Sequence, residues 1–399
     1  MKRKLMVMAA IGCFIMAGLA CHKMLPKAPA DDEVLDGPLE GLTAEERAQF
    51  IRGDVAFNDE VFTAETGLGP MFVATSCGTC HAGDGKGHPF TTLTRFGQTD
   101  STGNKYLHLG GPQLQDRAIY NYRAESIPAG ATFSKFTPPA NTGLGFVDAM
   151  TDADLLALAD PNDINGDGIS GRPNWITIPS YLPTRPNSIT QGGKYIGRFG
   201  KKAAAYDLFH QTVNAYNQDM GIVSTYDPYD TYNGQMLDPE VSNQTVIDVV
   251  AYLKMLKAPI QRNANDPAVM AGKNIFMQIS CGKCHVPELK SGNSNIAALS
   301  NKPFFPYSDF LLHDMGPALD DGYTEGTATT AEWRTPPLWG LGLSKNSQGG
   351  KYFLLHDGRA KSIEEAILLH GGEAQQSRNA FQQLTAADKA QLIKFLESL

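Results

Sequence analysis

The chain has 399 residues, 42% of them hydrophobic and 19% charged, with a formal net charge of -8. This acidic balance disfavours nucleic acid as a partner and is compatible with a basic protein partner. Its 40 glycines and 24 prolines are many for a helical protein. They predict few long helices and many ordered loops.

Residues 1–21 read MKRKLMVMAAIGCFIMAGLAC. Lys2, Arg3 and Lys4 precede an apolar run from Leu5 to Ala20, the pattern of a bacterial export leader. The run is short for a mature membrane span. Gly18-Leu19-Ala20-Cys21 is similar to a lipoprotein cleavage box, with Cys21 as the lipid anchor; simple cleavage near Ala20 is the alternative. Either outcome predicts a location in the periplasm or at the outer membrane. Residues 22–40 are rich in proline and acid and read as a flexible tether.

Thr43, followed by Glu45 and Glu46, predicts a helix start, with helix over 44–57. The segment 72–81 then reads FVATSCGTCH, and 276–285 repeats it as FMQISCGKCH. C-x-x-C-H is the attachment signature of a c-type haem. One helical turn sets Cys77 and Cys80 beside the porphyrin edge, where the thiols bond to it, and aims His81 at the iron. Cys281, Cys284 and His285 repeat the arrangement. A C-x-x-C redox pair is the rival reading of each motif, but it needs no adjacent histidine. Structural zinc needs four ligands and leaves each site one short. The two remaining cysteines, Cys13 and Cys21, lie in the leader, so no thiols are left for a disulfide framework.

Residues 82–150 are loop-rich. TDADLLALAD at 151–160 predicts a short helix capped by Thr151, with Asp154 at its third position. Asp163, Asn165 and Asp167, in DINGDG, match the start of a calcium loop, in which alternate oxygens can face one hard cation. Asn174 stands where the twelfth-position Glu is expected, so a looser Ca²⁺ site and a tight Asx-turn loop are both open readings. Helices are predicted over 201–218 and 245–257, the second stopped by Pro259. Asp266-Pro267 opens another that runs toward Cys281. The last, 385–399, places Leu392, Phe395, Leu396 and Leu399 on one face. Each half thus has a helix leading into its motif and a terminal helix after it, and Tyr252–Leu256 answers Phe395–Leu399. The expected fold is mainly α: two tandem cytochrome c-like domains with long ordered loops, over 41–260 and 261–399.

The C-terminal third carries HDMGPAL at 313–319, EWRTPPLWGL at 332–341 and YFLLHDGRAKSIEEAILLHGGEA at 352–374. With DPNDINGDGISGRPN at 160–174, these phrases resemble the di-haem oxidoreductase and peroxidase family, also called di-haem thiol oxidoreductases. More distantly they resemble bacterial di-haem cytochrome c peroxidases and the MauG enzymes. The close resemblance spans roughly residues 60–399. It implies two covalently bound haem c groups. Electrons from a small donor protein such as a cytochrome would enter at the C-terminal haem, and hydrogen peroxide would react at the N-terminal one. Cys77, Cys80 and His81 fall on the peroxidatic site, and Cys281, Cys284 and His285 on the electron-transfer site.

The same resemblance assigns further residues. His356-Asp357-Gly358 and Ile363–Ile367 lead to His370, where bacterial peroxidases carry a ligating Met. Ligation by His370 implies a bis-His iron of lower potential; a helix-terminal histidine favoured by the dipole is the other reading. His313 falls near the second haem. Arg334 suits a haem propionate, because a guanidinium pairs well with a carboxylate. Trp333 and Trp339 read either as parts of an electron path or as packed aromatics. A peroxidase also needs an acid–base group above the iron, and Glu125 is the candidate by order in the chain. Glu125 and Arg334 are thus the candidate catalytic residues. His88, His108 and His210 follow His81 in the first half, none of them a clear distal ligand. An open sixth position suits peroxide. MauG-like oxidation of another substrate and non-enzymatic electron carriage are the alternatives.

Overall fold

The computed structural model describes residues 30–97, 99–100, 103–104, 106, 109 and 111–399. The leader, Cys13, Cys21 and His108 lie outside them. The chain divides into two units, Met1–Val34 and Leu35–Leu399. In the first, the described part is a single turn, Asp31–Glu33. All that follows concerns the second.

Its helices are α1 (Ala44–Asn58), α2 (Cys77–Cys80), α3 (Leu144–Asp148), α4 (Asp152–Leu158), α5 (Leu208–Met220) and α6 (Asn243–Met255). They continue as α7 (Pro267–Gln278), α8 (Ser344–Ser347), α9 (Ile363–Leu368), α10 (Gln375–Gln383) and α11 (Ala386–Ser398). Helix is 35% against 12% strand, so the fold is mainly α. The strands form short two- and three-stranded ladders, such as Leu312–Asp314 against Glu332–Arg334. No helix among the described residues is long and apolar enough to cross a membrane.

Side-chain caps set the helix starts. Thr43 accepts from the Glu46 N–H, while Glu46 takes the Thr43 N–H at 2.8 Å. Two otherwise orphaned donors are satisfied at once. Asp266 caps α7 through the Ala268 N–H at 2.8 Å, with Pro267 at the first position, where a missing N–H costs nothing. The helix expected from 201 begins only at Leu208. Ahead of it the chain doubles back: Arg198 and Phe199 both donate to the Ala205 carbonyl, and Gly200 has φ +86°. Arg198 anchors this loop. It is buried, with Asp152 at 2.5 Å and the Met150 carbonyl at 2.5 Å.

Two helix crossings carry the repeat. At Gly53 a Cβ would lie 2.1 Å from the Asp248 carbonyl oxygen; at Gly272 it would lie 2.1 Å from that of Gln391. Only a missing side chain lets α1 approach α6, and α7 approach α11, this closely. One turn further on, Phe57 packs on Tyr252 at 5.4 Å between ring centres and lies 5.9 Å from the His81 ring. Phe276 packs on Phe395 at 5.4 Å and lies 6.3 Å from His285. Tyr252 therefore answers Phe395. The counterpart of Phe276 is Phe57, however, not Phe72 as the matching phrases suggest. Phe72 lies in a strand paired with Arg117–Ala118. Residues 59–76 separate α1 from its motif, whereas α7 ends three residues before Cys281.

The tether expected over 22–40 stops short of Leu35. Leu39 donates to the Met255 carbonyl at 2.8 Å, and Lys257 donates to that of Gly37 at 2.9 Å. Leu35, Leu39 and Leu42 are buried, so apolar anchors and backbone pairing hold this segment. The expected division at 260/261 falls between α6 and α7. Packing crosses it, since Phe304 stacks on Phe146 at 5.4 Å.

Candidate functional site

At the first motif, Ser76 caps α2 through the Thr79 N–H at 3.2 Å. The turn sets Cys77 and Cys80 on one side and brings His81 to its end. His81 donates from Nδ1 to the Pro139 carbonyl at 2.9 Å. That bond fixes the tautomer and leaves the Nε2 lone pair free, as an iron ligand requires. Burial pushes His81 down to about 4, so the ring is neutral at ordinary pH. It is enclosed by protein yet keeps accessible surface, and therefore lines an internal hollow. Burial pushes both thiols up to about 12, and neither is in a disulfide. A redox C-x-x-C pair needs the opposite, a thiol lowered toward neutrality.

The second motif repeats this chemistry. His285 donates from Nδ1 to the Tyr307 carbonyl at 2.9 Å, and burial pushes it down to about 4. His370 follows α9, which Ser362 caps, and donates from Nδ1 to the Ala366 carbonyl at 2.7 Å. Burial lowers it as well, and its charge acts on His285. Two neutral imidazoles, each with Nδ1 engaged, thus lie within electrostatic reach of each other. Among the described residues, no histidine acts on His81 in the same way; the charged group that does is Lys201.

His313 is held differently. Its Nε2 meets Asp309 at 2.8 Å and its Nδ1 meets Glu373 at 2.7 Å, with Cys284 Sγ at 3.7 Å. Burial opposes the charge, but these partners outweigh it and hold His313 protonated. With both nitrogens engaged it cannot ligate iron; it braces the second motif. For Glu373, burial acts upward, but His313 pulls it down to about 2. The folded value lies below the ordinary 4.5, so this stabilisation is present above pH 4.5 and is lost as pH falls toward about 2. Thermal unfolding of Glu373→Gln should accordingly depend less on pH across that window than wild type; equal slopes would contradict the assignment.

The remaining candidates separate. Glu125 accepts from the Gln115 N–H at 2.8 Å, and burial raises its pKa. Its carboxylate is spent on its own loop. Arg334 donates from Nε to the Gly200 carbonyl at 2.9 Å, and burial brings it down to about 10. Trp333 donates to the Leu319 carbonyl, stacks on His356 at 3.6 Å, and carries the Lys202 ammonium 3.9 Å from its ring centre. A cation there disfavours loss of an electron from the ring, so Trp333 is a packed aromatic. Trp339 packs in the core against Phe304. His88 accepts from the Phe90 N–H, and His210 from the Tyr206 N–H.

The calcium reading meets an obstacle. Asp163 and Asn165 accept from the Asp167 N–H, and Asp167 holds Lys283 at 2.9 Å. The loop closes by Asx turns, and the Lys283 ammonium takes up the Asp167 carboxylate.

Two groups escaped the sequence reading. Asp219 ends α5, and its carbonyl accepts from the Val73 and Ala74 N–H groups, which places it at the entry to the first motif. Its side chain is half-buried and has no hydrogen-bond partner among the described residues. Burial pushes it up to about 7 against the pull of Arg95, and its charge acts on Cys77 and Cys80. An acid in the last turn of a helix opposes the dipole, and that was the available signal. Nearby, the Gln113 amide nitrogen and the Tyr216 hydroxyl are buried without partners. Lys201 is the second group, enclosed near His81. Orphaned polar groups around a neutral, Nε2-free histidine fit a hollow that receives a polar, iron-bearing ligand.

Paired hollows of this kind define a protein with two redox centres. The family described as "Di-haem oxidoreductase, putative peroxidase" matches residues 134–399, and the chain belongs to it. Two haems are the cofactors that membership implies. The second motif lies within the match and the first precedes it. Hydrazine synthase from Kuenenia stuttgartiensis is similar in structure with a TM-score of 0.39 and 13% identity, covering 94% of this chain and 98% of that one. No curated protein matches.

Proposed function

We propose that this protein is an exported di-haem c oxidoreductase that reduces hydrogen peroxide at the Cys77–His81 centre, with electrons entering at the Cys281–His285 centre. The observation that carries the reading is the asymmetry of the two motifs. His285 has a second neutral histidine, His370, within electrostatic reach, and the two would hold the second iron between them, which suits electron transfer. His81 has no histidine acting on it among the described residues, and an unpartnered carboxylate, Asp219, acts on its two cysteines. The bound haem would supply the redox chemistry of O–O cleavage.

The chain's residues do the rest. The Pro139 and Tyr307 carbonyls orient His81 and His285. Cys77, Cys80, Cys281 and Cys284 tether the porphyrin edges. Asp219 holds and moves the proton, from the oxygen of peroxide nearer the iron to the departing one. Two electrons and two protons convert one peroxide to two waters. The leader supports export, with Cys21 as a lipid anchor, and a small cytochrome is the electron donor. The test is the ferric spectrum of the holoprotein, followed by stopped-flow mixing of the half-reduced form with peroxide. One high-spin and one low-spin haem, with rapid reoxidation, is the expected result. Two low-spin haems and no reaction would instead identify an electron carrier.

A further inference from the structure

Three basic side chains of the fold act on one another. Lys86 follows the first motif by five residues and donates to the Leu355 carbonyl at 3.4 Å. Lys201 is at the tip of the loop that Arg198 anchors. Arg334 is tied to that loop twice, by its N–H to the Lys201 carbonyl at 3.0 Å and by Nε to the Gly200 carbonyl at 2.9 Å. Each side chain is enclosed yet keeps accessible surface. Lys86 and Arg334 both repel Lys201, whose ammonium has no hydrogen-bond partner among the described residues. Lys201 acts on His81, while Arg334 and Asp309, the brace of the second motif, act on each other.

The carboxylates that face these cations are already engaged. Asp357 is held by Arg359 at 2.7 Å, and Asp309 by protonated His313 at 2.8 Å. Without a counter-charge, burial pushes Lys86 down to about 7 and Lys201 well below its ordinary range, so both shed charge. A partner that restores their charge is anionic. A porphyrin held by its thioether edge at either motif presents two carboxylates at the opposite edge.

We propose that Lys86, Lys201 and Arg334 form one carboxylate-binding site shared by the propionates of both haems, so that the two porphyrins meet edge to edge at Lys201. The inference rests on the di-haem reading above. A fixed positive charge near a haem favours the reduced state, because reduction lowers the charge of the centre. One shared cation therefore raises the potential of both haems.

The experiment is spectroelectrochemical titration of holoprotein matured in a cell with working cytochrome c assembly, comparing wild type, Lys201→Met, Lys86→Met and Lys201→Arg. Lys201→Met is expected to lower both midpoint potentials, Lys86→Met to do the same, and Lys201→Arg to stay near wild type. A shift of one haem alone, or of neither, overturns the shared site. If Lys201→Met does not accumulate, Lys86→Met with the arginine control decides by the same criterion. Haem content is measured in parallel by the pyridine haemochromogen spectrum. Fewer than two haems in wild type would reject the di-haem reading itself, separately from this inference.

Discussion

Asp219→Asn should slow peroxide reduction by about 10²–10⁴-fold, the usual contribution of a positioned acid–base group. The substitution keeps shape and volume and removes only the titrating proton. Stability should not suffer. Burial raises the folded pKa of Asp219 from 3.8 to about 7. Its ionisation therefore costs the native state a penalty that builds up between those values and persists above them, and the amide lacks it. Wild-type turnover should fall as pH drops through about 7, where Asp219 becomes protonated and can no longer accept the proton of peroxide, and the variant should lose that limb. Glu125→Gln is the control, with little effect, because that carboxylate serves the Gln115 N–H. Stopped-flow reoxidation of the half-reduced protein, below and above neutrality, measures all three. A wild-type rate in Asp219→Asn would remove Asp219 from the reaction.

The second large effect concerns the other centre. His370→Ala should abolish the low-spin ferric signal of the second haem and leave its optical spectrum high-spin. His370 is enclosed, its Nδ1 is engaged by the Ala366 carbonyl, and it lies within electrostatic reach of His285. Nothing among the described residues replaces it there. His370→Met should restore a six-coordinate iron at a raised midpoint potential, because a thioether stabilises ferric iron less than an imidazole does. Electron paramagnetic resonance of the ferric forms reads both changes. If the spectrum of His370→Ala is unchanged, His370 is a helix-terminal histidine and the sixth ligand lies elsewhere.

The two predictions divide along a physical line. His370 came to notice through the resemblance, by its place after His356-Asp357-Gly358 and Ile363–Ile367. Asp219 and Lys201 had no such signpost. Each is desolvated only because remote segments enclose it: 73–74 and Arg95 around Asp219, and Lys86 and Arg334 around Lys201. Glu125 shows the converse. Its place in the chain pointed to the chemistry, yet its hydrogen bond to Gln115 uses the carboxylate locally. The two cysteine phrases also misled in one respect. Their matched Phe72 and Phe276 occupy a strand and a helix, and the true counterpart, Phe57, lies fifteen residues earlier than Phe72.

The sequence by itself determined what depends on neighbours within a turn or two. The spacing of two thiols and a histidine and the caps at Thr43 and Asp266 are of this kind. Short-range geometry constrains them whatever the rest of the chain does. Only the tertiary structure decided which charged side chains lose their water. Desolvation raises the pKa of Asp219, keeps His81 and His285 neutral and lowers the basicity of Lys201, and it arises from segments far apart in the chain.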